Sequence, residues 1–262
     1  MELITSKENK TLKYAQSLQR KKYRKQYGEY LAEGLRAVAD MVPTGLVVTV
    51  FLSDVYDANS EAYAVAEQAA AQGAVVYQVK ENLLKSVEST VNGQGIVAIV
   101  KKEIPTLQAL DRGLYIVLDA IQDPGNLGTI IRTAVAAGAK GLFLTKGSVD
   151  PYNEKTVRST MSAITKLPIY ETVTTEFMLP LIKNSGASVY ATALTEATPI
   201  QEVKFAPTTI LLLGNEANGL SDEWFDIASD RITIPMYGPI ESLNLAVASA
   251  LCMYAVRESW LS

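Results

Sequence analysis

Arg132, Glu216, Ser242 and the amide side chains of Asn126, Asn215 and Asn244 are the residues of this 262-residue chain best suited to hold or activate a small molecule. They fall in three stretches: Asp123-Pro-Gly-Asn-Leu-Gly-Thr-Ile-Ile-Arg132, Leu213-Gly-Asn-Glu-Ala-Asn-Gly219 and Ile232-Thr-Ile-Pro-Met-Tyr-Gly-Pro-Ile-Glu-Ser-Leu-Asn-Leu245. Each joins an apolar strand-like run to a helix-like run through a loop of Gly, Pro and Asn. Such loops leave backbone N–H and C=O groups free for a ligand, and ligand sites in α/β proteins usually lie there. One loop of this kind would mean little. Three in succession, each with uncommon polar residues, make a site.

The chemistry open to that site is restricted, because the chain has no histidine and a single cysteine, Cys252. The usual general base, the Ser-His and Cys-His pairs and most zinc sites are thereby excluded, and no metal is expected. What remains is carboxylate, Arg, Lys, Tyr or an already reactive cosubstrate. Each candidate also has a plain structural reading. Asn126 and Ser242 suit helix N-caps, a role worth about 1 kcal/mol. Arg132 suits a surface salt bridge, but Ile130, Ile131, Ala134, Val135 and Ala136 make its helix apolar. Phosphate or carboxylate recognition by the guanidinium fork is the better reading. A strand–helix turn capped by Ser221 accounts for Gly219 but leaves the Asn215-Glu216 pair unexplained. Glu216 is expected to anchor Arg132 or a bound sugar. Asn244, on an apolar helix, would need amide partners if buried.

The order and wording of the three stretches resemble the motifs of the SpoU (TrmH-like) family of RNA ribose 2′-O-methyltransferases. The shared wording is Asn-x-x-x-x-x-Arg, Gly-Asn-Glu-x-x-Gly and Ile-Pro-Met-x-Gly-x-x-Glu-Ser-Leu-Asn, from about Leu114 onward. The resemblance implies the knotted SPOUT fold, S-adenosylmethionine as cosubstrate and a homodimer formed through the C-terminal domain. It also implies roles. Arg132 is the principal catalytic residue, with Asn126, Glu216, Ser242 and Asn244 around it. The cofactor lies on Thr192, Ala193, Leu194, Leu213, Gly214, Asn215, Gly219, Ile234, Pro235, Met236 and Leu243. A free guanidinium, with a pKa above about 12, is a poor base. Arg132 is therefore expected to grip a substrate phosphate and stabilise a developing alkoxide. The proton acceptor stays open between that phosphate, water and Arg132. Ile4-Thr-Ser6, Leu31-Ala-Glu-Gly-Leu-Arg36 and Gly93-Gln-Gly-Ile-Val-Ala98 resemble the substrate-binding domain that often precedes the catalytic one. Tyr152-Asn153 and Arg158-Ser-Thr-Met-Ser-Ala163 resemble a bacterial subgroup acting on ribosomal RNA, which favours that substrate over transfer RNA.

A net charge of −4 looks wrong for an RNA binder until it is divided. Residues 1–36 carry nine basic against four acidic side chains, a local excess of five. Local patches attract phosphate, whatever the total charge. Lys7, Lys10, Arg20, Lys21, Lys22, Arg24, Lys25 and Arg36 are accordingly expected to bind RNA, with the interleaved Tyr14, Tyr23, Tyr27 and Tyr30 stacking on unpaired bases. The plain alternative is a solvated amphipathic helix.

The elements that must position these residues follow from periodicity and breakers. In the first half, helices are expected over Asn9–Arg24, Gly34–Met41 and Ala58–Gln72, with strands over Leu46–Leu52, Val75–Val79 and Gly95–Val100. In the second, strands are expected over Leu114–Leu118, Gly141–Thr145, Pro168–Glu171, Ser188–Thr192, Thr209–Leu213 and Arg231–Ile234. Helices there should cover Leu127–Ala137, Asn153–Ile164, Glu176–Asn184, Ser221–Ile227 and Leu243–Ser259. Alternation of this kind predicts a mostly parallel sheet covered on both faces. The domains divide as 1–105, a small α/β RNA-binding domain, and 106–262, the catalytic α/β domain, with Pro105 between them. The last helix is apolar nearly all round, suiting burial against a second subunit as well as its own domain. No apolar run reaches the roughly 18 residues of a membrane span, and Met1-Glu-Leu-Ile does not begin a signal peptide; a cytoplasmic enzyme is expected. The competing readings are a transfer-RNA methyltransferase, a non-catalytic ribosome-assembly factor of the same fold, and a nucleotide-dependent oxidoreductase. The last lacks any Gly-x-Gly-x-x-Gly after a first strand.

Overall fold

A computed structural model describes residues 1–90 and 93–261. The chain begins β1 (Glu2–Ile4), α1 (Lys10–Ser17), α2 (Lys21–Tyr27), β2 (Glu29–Glu33), α3 (Leu35–Met41), β3 (Val47–Ser53), α4 (Glu61–Ala71), β4 (Val75–Val79), α5 (Glu81–Leu84) and β5 (Ile96–Lys101). It continues β6 (Gly113–Leu118), α6 (Pro124–Ala136), β7 (Gly141–Thr145), α7 (Glu154–Thr160), β8 (Ile169–Val173), α8 (Thr175–Ser185) and β9 (Ser188–Thr192). It ends β10 (Thr198–Pro199), β11 (Thr208–Leu213), α9 (Asp222–Phe225), β12 (Asp230–Thr233) and α10 (Leu245–Leu261). Two compact units result: Met1–Glu103 with Asp150–Thr165, and Ile104–Val149 with Lys166–Ser262. The expected division at 105/106 puts residues 150–165 in the second domain, whereas their contacts lie in the first unit.

The first unit holds a five-stranded sheet in the order β1-β4-β3-β5-β2. β1, β4 and β3 run parallel, whereas β5 is antiparallel to both β3 and β2. Ile4, Leu12, Ala15, Leu18, Phe51, Val97 and Ile99 form one core under α1. The expected single helix over Asn9–Arg24 is in fact two. Asn9 caps α1, its Oδ1 accepting from Thr11 N and Leu12 N at 2.9 and 3.1 Å. The break after Ser17 has no Gly or Pro to announce it. It is held open by Arg24, whose Nη1 donates to Leu18 O and Gln19 O at 2.8 and 2.7 Å.

Arg24 is therefore removed from the predicted RNA-binding face. It is 5% exposed. Its Nε and Nη2 donate to Asp150 Oδ2 at 2.9 and 2.7 Å, and Asp150 Oδ1 accepts from Tyr152 N. A buried carboxylate is tolerated only with such partners. Tyr30, also predicted to stack on RNA, is 1% exposed and packs against Tyr152 at 5.0 Å between ring centroids. The helix expected to run from Asn153 to Ile164 stops at Thr160, because Met161 and Ser162 take positive φ of 48° and 71°.

The second unit holds a seven-stranded sheet in the order β10-β12-β9-β11-β6-β7-β8. Every pairing is parallel, so all strands end at one edge. Tyr115, Val117, Phe143, Val189, Ala191, Ile210 and Leu212 build a core on one face with Met178 and Leu181 of α8 and Trp224 of α9. α10 packs on α6 and β11, with Arg257 donating to the carbonyls of Ala137 and Gly138. Neighbouring β6 and β11 form the switch point: from β6 the chain proceeds outward to β7 and β8, and from β11 the other way to β12. Crevices at such points are where parallel sheets bind ligands. Among the described residues no helix is long and apolar enough to cross a membrane.

Arg24→Ala should cost the first unit about 3–5 kcal/mol, since it leaves the Asp150 carboxylate buried and unpaired. Thermal unfolding followed by near-ultraviolet circular dichroism measures this; an unchanged midpoint would contradict the account of the α1–α2 break.

Candidate functional site

The three polar stretches emerge at the ends of strands that lie side by side. The first follows β6, the second β11 and the third β12, while Thr192-Ala-Leu194 follows β9, between β11 and β12. α6 begins three residues earlier than expected because Asp123 is its cap. Asp123 Oδ1 accepts from Asn126 N at 2.7 Å, and Pro124 occupies the first turn, where its missing N–H costs nothing. Asn126 is thus relieved of capping and its side chain is free for other work.

That work is to join the three loops. Asn126 Nδ2 donates to Glu216 Oε1 at 3.0 Å, and Asn126 Oδ1 accepts from Asn244 Nδ2 at 3.0 Å. Asn244 in turn caps α10, its Oδ1 accepting from Ala246 N and Val247 N at 2.9 and 3.3 Å. The final helix therefore starts at Leu245, not Leu243, and Asn244 rather than Ser242 is its cap. Asn244 is also exposed, so the argument from burial does not apply to it. Ser242 lies exposed in the approach to the helix.

Glu216 anchors Asn126, not Arg132. Burial pushes the Glu216 carboxyl up, but the Asn126 amide and the N–H groups of Glu216, Gln122 and Asp123 outweigh it and hold it below the ordinary glutamate value. It is therefore an acceptor at neutral pH and loses that role only as pH falls through its lowered pKa. Arg132 projects from α6 into solvent, and among the described residues its guanidinium has no ion-pair or hydrogen-bond partner.

The Gly214–Gly219 loop closes on itself. Asn215 N donates to Gly219 O and Gly219 N to Asn215 O, at 2.8 and 2.9 Å. A Cβ on Gly214 would lie 2.1 Å from Gly219 C and Leu220 N, and Gly219 takes φ +71°. Both glycines are thus required by the loop's own backbone. Asn215 Oδ1 accepts from Ala217 N, and its Nδ2 donates to Ala120 O at 2.7 Å, tying this loop to the one after β6.

Beneath lies a residue that the sequence reading missed. Asp119, 8% exposed, accepts through Oδ2 from Ser221 N and Oγ at 2.9 and 2.7 Å, and through Oδ1 from Thr145 Oγ1 at 2.8 Å. Thr145 Oγ1 accepts from Ala120 N at 2.9 Å, helping to fix Ala120 at φ +49°. Ser221, read as a plain helix cap, gives its hydroxyl to Asp119 and makes no side-chain cap bond. An aspartate ending an apolar strand was the only signal available.

A parallel sheet whose strand ends carry three hydrogen-bonded loops at a switch point defines this unit as an α/β ligand-binding domain. Residues 113–254 match the model of the SpoU rRNA Methylase family, and residues 9–98 that of the MRM3-like substrate binding domain. The 23S rRNA (guanosine(2553)-2′-O)-methyltransferase RlmP of Bacillus subtilis is 31% identical, over 98% of this chain and 100% of that protein. The AdoMet-bound rRNA methyltransferase from Sinorhizobium meliloti matches with a TM-score of 0.88 at 32% identity, covering 100% of this chain and 99% of that one. The SpoU methyltransferase AviRb of Streptomyces viridochromogenes, in complex with AdoMet, matches at 0.84 and 25% identity, covering 97% and 99%. This chain belongs to the SpoU rRNA methylase family.

Asp119→Ala should lower stability by about 2–4 kcal/mol, through donors left unpaired. Amide exchange at Ala120 and Ser221 should accelerate together. Acceleration in one loop alone would disprove that Asp119 couples them.

Proposed function

We propose that this chain is an S-adenosylmethionine-dependent RNA methyltransferase acting on a ribose 2′-hydroxyl, in ribosomal RNA. The observation that carries the reading is the Glu216–Asn126–Asn244 chain, which joins all three motifs at the start of the helix that also carries the exposed Arg132. The relatives named as 2′-O-methyltransferases favour this reading over an assembly factor without catalysis. RlmP of Bacillus subtilis and a 27% identical relative from Streptomyces viridochromogenes are named for 23S rRNA, which favours ribosomal over transfer RNA.

The residues assigned to the cofactor suit it. The ends of β9, β11 and β12 present Ala193, Gly214 and Pro235, small or rigid residues without charge. Leu194, just past β9, and Tyr237 and Ile240, past β12, are 74%, 91% and 57% exposed, apolar surface that a bound adenosyl group would bury. Bound there, S-adenosylmethionine supplies an activated methyl group on a good leaving group. Arg132 grips the phosphate beside the target ribose and stabilises the 2′-oxygen as its proton passes to an acceptor drawn from that phosphate, water and Arg132 itself, while the oxygen takes the methyl group. Asn126 and Asn244 hold the loops from which the ribose is oriented, and Ser242 lies at the rim.

α10 leaves Val247, Leu251 and Tyr254 between 44% and 49% exposed at helical spacing. We assign this stripe to a homodimer in which a second copy covers it. The knotted path that the family resemblance implies is assigned to the segment between β12 and α10, which returns Asn244 to Asn126. The enzyme would act in the cytoplasm.

Labelled methyl from S-adenosylmethionine, offered to ribosomal and transfer RNA from cells lacking the gene, should enter one ribose of ribosomal RNA. Arg132→Ala should keep cofactor binding and lose transfer at least about a hundredfold, the scale of one charge-stabilising donor; parallel loss of both would remove Arg132 from its role. Leu251→Glu should convert a dimer to monomer in sedimentation, and a wild-type chain already monomeric would end the dimer assignment.

A further inference from the structure

The tyrosines of the basic segment fall into two sets. Tyr30 is core, packed on Tyr152. Tyr14, Tyr23 and Tyr27 instead form a surface array on α1 and α2. Tyr14 Oη donates to Glu29 Oε2 at 2.6 Å, which fixes its ring. Tyr27 meets that ring edge-on, with centroids 5.1 Å apart at 63°. Tyr23, one turn back along α2, lies nearly parallel to Tyr27, at 9° and 6.1 Å. Tyr27 remains 44% exposed, a large ring left open on a helix whose residues other than Tyr23 are Lys, Arg and Gln.

Charge surrounds the array. α2 reads Lys21-Lys-Tyr-Arg-Lys-Gln-Tyr27 with no acid in it, and Lys21, Lys22 and Lys25 are exposed. Lys22 Nζ lies over the Tyr23 ring at 5.8 Å from its centroid. Of the nearby carboxylates, Glu29 is engaged by Tyr14 and Glu8 by Lys13. Fixed rings edged by free ammonium groups match a nucleotide, with its flat apolar base and its anionic phosphate.

We infer that Tyr27, buttressed by Tyr14 and Tyr23, is a stacking platform for an unpaired base of the RNA substrate, with Lys21, Lys22 and Lys25 holding the adjoining phosphates. The inference rests on the reading of the chain as an RNA methyltransferase and adds the substrate feature it recognises. In a duplex the base faces are already stacked and closed to a ring; single-stranded loops and bulges present them. Because the rings are held in place beforehand, little order is lost on binding.

The test compares a 12-nucleotide single-stranded RNA containing 2-aminopurine with a duplex of the same length, using the full chain. Tyr27→Ala should weaken single-strand binding by roughly 5- to 150-fold, the range for one stacked base. It should abolish 2-aminopurine quenching, leave the salt slope unchanged and spare duplex binding. Tyr27→Trp should restore both affinity and quenching. The triple change Lys21→Ala, Lys22→Ala and Lys25→Ala should do the opposite, flattening the slope by about 2. Unaltered single-strand affinity in Tyr27→Ala, or an equal loss on the duplex, would overturn the platform. If the wild-type chain still methylates ribosomal RNA in that case, only the platform falls. A wild-type chain that neither binds RNA nor transfers methyl would remove the functional reading, and the platform with it.

Discussion

Asn126 has one amide and uses both ends of it, donating to Glu216 and accepting from Asn244. The rest of the site depends on this side chain. Its two partners are separated from it by 90 and 118 residues, and each lies in a loop that could otherwise move independently. An amide is the group suited to the task. A carboxylate could not donate to Glu216, and an ammonium could not accept from Asn244. The lowered pKa of Glu216 belongs to the same arrangement, since the Asn126 amide donates a hydrogen bond to the charged form. Asn126 is free for this because Asp123 has taken over the capping of α6.

Each unit meets the cost of burying charge in its own way. Asp150 is neutralised by a guanidinium, and the pair fixes the break between α1 and α2. Asp119 instead faces hydroxyls and an N–H, one from Thr145 and two from Ser221. A salt bridge secures a single contact strongly. A carboxylate surrounded by neutral donors can bind several segments at once, and Asp119 does so for the loops after β6, β7 and β11. The positive φ of Ala120 is sustained by the same network, and it turns the Ala120 carbonyl toward Asn215 and Gln122. Strain at a non-glycine residue persists where its surroundings over-determine it.

What could be read in the sequence, and what could not, follows from the range of each signal. The second-unit strands are continuous apolar runs because both faces of the parallel sheet are covered, so Gly141–Thr145 and Ser188–Thr192 were bounded correctly. The polar residues at their ends were visible because Asn, Glu and Arg are out of place beside such runs. Pairings across a hundred residues were not visible. Nothing local distinguishes Arg24, which is buried, from Lys25, which is exposed, and charge counting took both for RNA contacts. The short β2 was overlooked because Glu29-Tyr-Leu-Ala-Glu33 has neither clean alternation nor a long apolar run. The exchange of capping roles, from Asn126 to Asp123 and from Ser242 to Asn244, turned on shifts of two or three residues. Both alternatives satisfy the local cap rules, and tertiary partners decide between them.

The absence of histidine gives these contacts their functional weight. An enzyme with a strong general base can tolerate some looseness, because proton transfer itself contributes 100- to 10,000-fold. The proposed site, built from Asn126, Asn244, Glu216 and Arg132, would draw its acceleration from placement, which can contribute about 7–11 kcal/mol when reacting atoms are held in line. That yield falls steeply with small displacements, so the groups that never touch the substrate become as decisive as those that do. Asp119, Thr145 and Ser221 fix the loops; Asn126, Glu216 and Asn244 bind them to one another; Gly214 and Gly219 let the middle loop close to a single shape. Arg132 has no partner among the described residues, on a helix whose start and finish are both secured, by Asp123 at one end and Arg257 at the other. A free guanidinium on a fixed helix is what an anionic substrate requires of a site that positions it and leaves the bond-making to an already activated methyl donor.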